Sequence, residues 1–139
     1  MATTRFAHCE WQGSLLEGSG RVSLDSSDLG TFDVTWASRA EQPEGRTSPE
    51  ELIAAAHSSC FSMALSSGLA KGGTPPTSLH TRAEVDFQPG EGITGVRLFV
   101  SGDVPGLDDA GFLAAAEAAK AGCPVSKALA AVPISLTVE

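Results

Sequence analysis

The chain has 139 residues, 42% of them hydrophobic and 19% charged, which suits one domain with a buried core over 1–139 and is too short for two. Seventeen acidic residues against nine basic ones leave a net charge of −8, and the basic residues are scattered singly, so no stripe exists to neutralise the phosphates of a nucleic acid. The N-terminal stretch lacks a secretory pattern, Ser, His and Gly interrupt the apolar runs before about 18 residues, and three cysteines make no disulfide scaffold; the expectation is a cytoplasmic, reducing setting with no membrane partner.

In chain order, residues 4–11, 20–25 and 31–36 read as short strands of a meander, joined by turns at Gly13-Ser14, Gly18-Ser19-Gly20 and Asp28-Leu29-Gly30. Residues 37–47 hold Pro43 and Gly45 and read as a loop. Ser48 then offers an N-cap, Pro49 occupies the first helical position, and Glu51 supplies the capping-box acid. The helix that follows runs to Gly72-Gly73, and its small, uniformly apolar residues predict burial on most sides.

Beyond Pro75-Pro76, alternating residues predict two antiparallel strands over 78–88 and 93–103, with a turn at Gln88-Pro89-Gly90-Glu91-Gly92. An alanine-rich helix begins at Asp108 or Asp109 and ends near Lys120. Cys123-Pro124 opens a short helical turn to Leu129, and 132–138 reads as a last strand. The order βββ-α-ββ-α-(α)-β segregates strands from helices, which is the α+β class.

Two cysteines stand out. Cys123 lies between Gly122 and Pro124, an N-cap position where free backbone N–H groups and the positive helix end favour thiolate. Cys60 is mid-helix, in His57-Ser58-Ser59-Cys60-Phe61, and needs partners from elsewhere in the fold to become reactive. A buried, inert thiol is the plain alternative for either. Glu51 is accounted for as a cap, which leaves Glu50 as the carboxylate available for chemistry. About 15 Å of helix rise separates Glu50 from Cys60, so a basic group, Arg39 or Arg46, would have to reach between them. His57 reads as a packing residue more readily than as a base, and Cys9, alternating with Ala7 and Trp11, reads as facing the sheet interior. A zinc set drawn from His8, Cys9, His57, Cys60 and Cys123 lacks the paired C-x₂₋₄-C spacing.

The stretch from Thr47 to Leu65, TSPEELIAAAHSSCFSMAL, with Ala119 to Leu129, AKAGCPVSKAL, resembles the OsmC/Ohr family, most closely its OsmC branch. Trp11-Gln12-Gly13 and Ser38-Arg39 extend the likeness over nearly the whole chain. The resemblance implies an OsmC-like α+β fold, with antiparallel sheets outside long central helices in an intertwined homodimer. It also implies that Cys60 is the peroxidatic cysteine, Cys123 the resolving one, Glu50 the active-site carboxylate and Arg39 the arginine, with Arg21 a lesser alternative.

The implied activity is reduction of organic hydroperoxides, and more weakly of hydrogen peroxide. It would run through a Cys60 sulfenic acid and a Cys60–Cys123 disulfide reopened by dihydrolipoamide or a lipoylated protein, with no metal, flavin or haem cofactor. An apolar pocket including Phe61 and Met63 is expected to favour organic substrates. The rival expectations are a thiol redox sensor without turnover, a structural metal protein and a dimeric scaffold.

Overall fold

The computed structural model describes residues 1–139, which gather into two compact units, Met1–Pro49 and Glu50–Glu139. In the first, β1 (His8–Gln12), β2 (Ser19–Ser23) and β3 (Thr31–Val34) form an antiparallel meander in the order β1-β2-β3. The strands are shorter than the sequence pattern suggests, and β1 is exposed throughout. Gly20 is buried at the middle of the sheet, where an added Cβ would lie 2.8 Å from the Trp11 ring and 2.9 Å from Val34, so only glycine lets these side chains close over β2.

The segment read as a loop opens instead with a helical turn, α1 (Trp36–Ala40). Thr35 caps it, accepting from the Ser38 N–H at 3.0 Å, while the Thr35 N–H donates to Ser38 Oγ at 3.0 Å. This reciprocal box satisfies two otherwise orphaned donors. The Ser38 hydroxyl also donates to the Thr47 carbonyl at 2.9 Å, tying the end of the loop back onto the turn. Arg39 is thereby carried on an anchored turn rather than on a free loop.

The second unit is built on α2 (Pro49–Lys71) and the sheet β4 (Ser78–Gln88), β5 (Gly92–Asp103) and β6 (Ile134–Val138), with α3 (Asp109–Gly122) and α4 (Pro124–Ala128) between the last two strands. β4 and β5 are antiparallel, with a bulge at Asp86/Phe87. β6 pairs with β5 in parallel, a departure from the expected antiparallel sheets. The α3–α4 crossover causes it, because a helical connection returns the chain to the end of the sheet from which β5 started.

Val96, Leu98 and Val100 of β5 face the core with Phe61, Leu65 and Leu69 of α2 and Ala116 and Ala119 of α3. Fully burying each large apolar side chain contributes about 1.5–3 kcal/mol. The alternate β5 residues face outward, where Arg97 pairs with Glu84 and Asp86, and the Arg82 guanidinium lies 3.9 Å from the centre of the Phe99 ring.

Only one stripe of α2 is covered, at Glu50, His57, Phe61, Leu65 and Leu69. The expectation of burial on most sides fails for a single chain: Ala55, Ser59 and Met63 are exposed, Met63 at 71%. By length and composition α2 could also cross a membrane, which corrects the reading that no apolar run is long enough. Its polar ties are those of a helix packed on a sheet: Ser62 Oγ lies 2.6 Å from Thr81 Oγ1, and the Thr81 hydroxyl donates to the Ser58 carbonyl at 3.2 Å.

Candidate active site

Cys123 is the joint between α3 and α4. Its N–H closes α3 on the Ala119 carbonyl at 2.8 Å, and its own carbonyl accepts from the Lys127 N–H at 3.0 Å to start α4. Pro124 follows at the first helical position, where no N–H is needed. The thiol is fully buried. Burial raises its pKa, but the Ser126 N–H, the Cys60 thiol, the Ser126 hydroxyl and the Val125 N–H together hold it below the ordinary cysteine value. The sulfur makes no well-aligned cap bond. In a helix of five residues the macrodipole is small, so the nearby donors, rather than the dipole, favour the thiolate.

Cys60 approaches from α2 and is half-buried. Burial pushes its thiol up, the Val125 N–H pulls it down, and the hydrogen bond and charge of Cys123 push it up again, for a net rise. Cys123 is therefore the more acidic of the two thiols. The Val125 N–H that opens α4 lowers the pKa of both thiols, so residues far apart in sequence adjoin at one helix start.

Behind the pair is a buried polar link that the sequence reading did not assign. His57 Nε2 lies 2.7 Å from Ser126 Oγ, with the histidine fully buried and the serine 6% exposed. Burial lowers the His57 pKa, so the ring is neutral at pH 7. Ser126 also adjoins Cys123 and helps to lower its pKa. The available signal was spacing: Ser126 is the third residue after the Cys123 cap, the position whose side chain faces back to a cap.

The other site residues fall as follows. Glu50 is buried in the first turn of α2, at 6% exposure. Arg39 is half-buried on α1 and lines a pocket of about 220 Å³ with Cys9, Trp11, Leu15, Val34 and Trp36. Arg21 pairs across strands with Asp33 at 3.8 Å, both well exposed. Cys9 is exposed rather than interior, because β1 is open along its whole length. Phe61 is fully buried in the core and cannot line a substrate pocket. Met63, on another face of α2, borders a groove of about 620 Å³ with Ser62, Ser66, Pro76 and Leu79. No three His, Cys, Asp or Glu side chains are gathered as a metal set.

An α+β chain whose long helix and short capped turn bring two thiols into contact is a dithiol protein. Its residues 42–139 match the model of the OsmC-like protein family, and the chain belongs to that family. It is 41% identical over 134 residues to Peroxiredoxin OsmC of Escherichia coli (strain K12), covering 94% of this chain and 93% of that protein, and equally to the Shigella flexneri protein of the same name. Among solved structures, the fold is similar to that of an organic hydroperoxide resistance protein OsmC from Legionella pneumophila, at TM-score 0.73 and 24% identity over 99% of both chains. It is also similar to OhrB of Bacillus subtilis, at TM-score 0.69 and 24% identity over 96% of this chain and 98% of that one.

Proposed function

We propose that this chain is a cysteine-based peroxidase that reduces organic hydroperoxides, and more weakly hydrogen peroxide, at the expense of a dithiol. The adjoining Cys60 and Cys123 thiols carry the reading, in a chain 41% identical to a named peroxiredoxin.

In the proposed cycle the Cys60 thiolate attacks one peroxide oxygen, the O–O bond breaks, and the alcohol leaves with a proton, giving Cys60 sulfenic acid. The Cys123 thiolate then attacks the Cys60 sulfur. The S–O bond breaks, water leaves, and the disulfide forms. A dithiol such as dihydrolipoamide, free or on a lipoylated protein, reopens it by two exchanges and leaves as its own disulfide.

Cys123, with its donors and depressed pKa, is suited to the resolving role as a ready nucleophile. First attack by Cys60 requires a cation to offset its raised pKa. Arg39 is assigned that task by its motif position, with Glu50 orienting the guanidinium through a two-pronged ion pair. A carboxylate as buried as Glu50 is maintained only with compensating partners, which fits a built site better than a surface cap.

The functional unit is proposed to be a homodimer, with the uncovered face of α2 and the groove beside Met63 turned toward a second copy. Turnover of cumene hydroperoxide with dihydrolipoamide tests the peroxidase reading. The wild-type chain should turn over repeatedly and Cys60→Ser should not; equal rates in the two would refute it.

A further inference from the structure

Arg39 has neighbours that the cycle above leaves unused. Cys9 and Trp11 alternate along β1 and so share one face of its sheet. Gly20 pairs with Trp11 on β2 and has no side chain to fill that face; an added Cβ would meet the Trp11 ring at 2.8 Å, Val34 at 2.9 Å and the Cys9 sulfur at 3.1 Å. The Trp11 indole N–H donates to the Gly13 carbonyl at 3.0 Å, which fixes the ring. The capped turn α1 brings Trp36 and Arg39 to the same place. With Leu15, these side chains line a hollow of about 220 Å³ within the first unit.

The hollow is cationic at Arg39 and apolar at Trp11, Trp36, Leu15 and Val34. Trp11 and Leu15 are left 41% and 55% exposed there. Apolar surface gathered round an opening, with a convergent charge, marks a ligand cavity. Its volume lies below the ~300–1,000 Å³ of sites for drug-sized molecules, so the occupant is compact. An alkyl hydroperoxide is divided in the same sense, with hydrogen-bonding oxygens at one end and carbon at the other.

We propose that this hollow receives the organic group of the hydroperoxide, and that Trp11 and Trp36 are specificity residues favouring compact aryl or branched groups over long straight chains. The assignment rests on the reading of Arg39 as the cation that meets the peroxide. The peroxide oxygens accept from the guanidinium while the carbon skeleton lies on the indoles, whose flat faces suit an aryl ring. Hydrogen peroxide has no carbon group and gains nothing from these walls. A straight chain outruns the hollow and loses rotamer freedom over the part it places there. Phe61 and Met63 do not supply this surface: the first is sealed in the core and the second borders a different groove.

Cys9, an exposed thiol in the wall, is a built-in reporter of occupancy. In the full chain carrying Cys60→Ser and Cys123→Ser it is the one thiol present, and its alkylation by iodoacetamide can be followed by mass spectrometry. The alcohol left by cumene hydroperoxide, 2-phenyl-2-propanol, should slow that alkylation severalfold, and 1-octanol at the same concentration should leave it nearly unchanged. Trp11→Ala should abolish the protection. No protection by 2-phenyl-2-propanol, or equal protection by the two alcohols, overturns the assignment. In the chain with all its cysteines, Trp36→Ala should lower kcat/KM for cumene hydroperoxide, relative to that for hydrogen peroxide, by roughly ten- to a hundredfold, the worth of lost apolar contacts in a pocket. Trp36→Phe should restore most of that ratio, and a ratio unmoved in Trp36→Ala also overturns the assignment. Thermal melts identify any variant that fails to fold, in which case the two alcohols acting on the chain with both tryptophans decide. Because alkylation involves no peroxide, a chain that protects Cys9 as expected but does not turn over contradicts only the peroxidase reading.

Discussion

Phe61 and Met63 lie two residues apart on α2 and should respond in opposite ways to truncation. Phe61 is fully buried against Leu65 and the inner face of β5, whereas Met63 is 71% exposed in the single chain. Phe61→Ala removes a ring from a packed core and leaves a cavity that rigid neighbours fill only in part, for a cost of about 3–5 kcal/mol. With a urea slope of about 2 kcal/mol per molar, the unfolding midpoint should fall by about 1.5–2.5 M. That is a large share of a total stability of roughly 5–15 kcal/mol. Met63→Ala should change stability by no more than about 0.5 kcal/mol in dilute solution, as surface substitutions do. If the proposed dimer forms over that face, its cost should grow with protein concentration, since association stabilises by mass action. Urea melts at several concentrations, followed by far-ultraviolet circular dichroism, provide the assay. A cost below about 1 kcal/mol for Phe61→Ala would refute the assigned core face; a Met63 effect that is large and independent of concentration would refute its exposure.

Four further outcomes are expected. Cys123→Ser should still consume one equivalent of peroxide but accumulate Cys60 sulfenic acid, detectable with a dimedone-type trap; full multiple turnover would remove Cys123 from the cycle. Arg39→Ala should slow peroxide consumption by at least about tenfold, the scale of one lost charge-assisted contact, and lower the melt as well, because buried Glu50 loses its proposed partner; an unchanged rate would exclude Arg39 as the activating cation. For His57, burial lowers the folded pKa below 6.5, so between the two values the unfolded state binds the extra proton. Stability should therefore fall as pH drops through 6.5, and His57→Gln should flatten that slope. His8 has the opposite sign, because its hydrogen bond to Asp25 raises the folded pKa, and its contribution is lost as pH rises.

Local patterns made much of the fold legible. The Pro49 start of α2, the Asp108 cap of α3 and the glycine-bearing turn between β4 and β5 each have a short-range cause, and each appears near its expected place. The turn α1 was missed because Pro43 and Gly45 dominated the reading of 37–47, although Thr35 and Ser38 stand at capping-box spacing. The parallel seating of β6 could not be read locally, since it depends on where a whole crossover delivers the chain. The exposure of Cys9 was misread for a related reason: alternation along β1 shows which residues share a face, but not whether anything covers it.

At the candidate site, the position of Cys123 at a cap was visible from Gly122 and Pro124, and adjacent donors lower its pKa. The contact between Cys60 and Cys123, and the buried path from His57 to Ser126, join α2 to α4 across a long sequence separation. No periodicity or spacing encodes such a meeting; only the packing of α2, α3 and β5 around a common core creates it.

The central claim, that Cys60 and Cys123 form the working pair, is tested most directly by peptide mass spectrometry after one equivalent of cumene hydroperoxide. The account predicts a Cys60–Cys123 disulfide within one chain, with Cys9 left as a free thiol. A disulfide involving Cys9, or oxidation of Cys60 that never resolves onto Cys123, would contradict it.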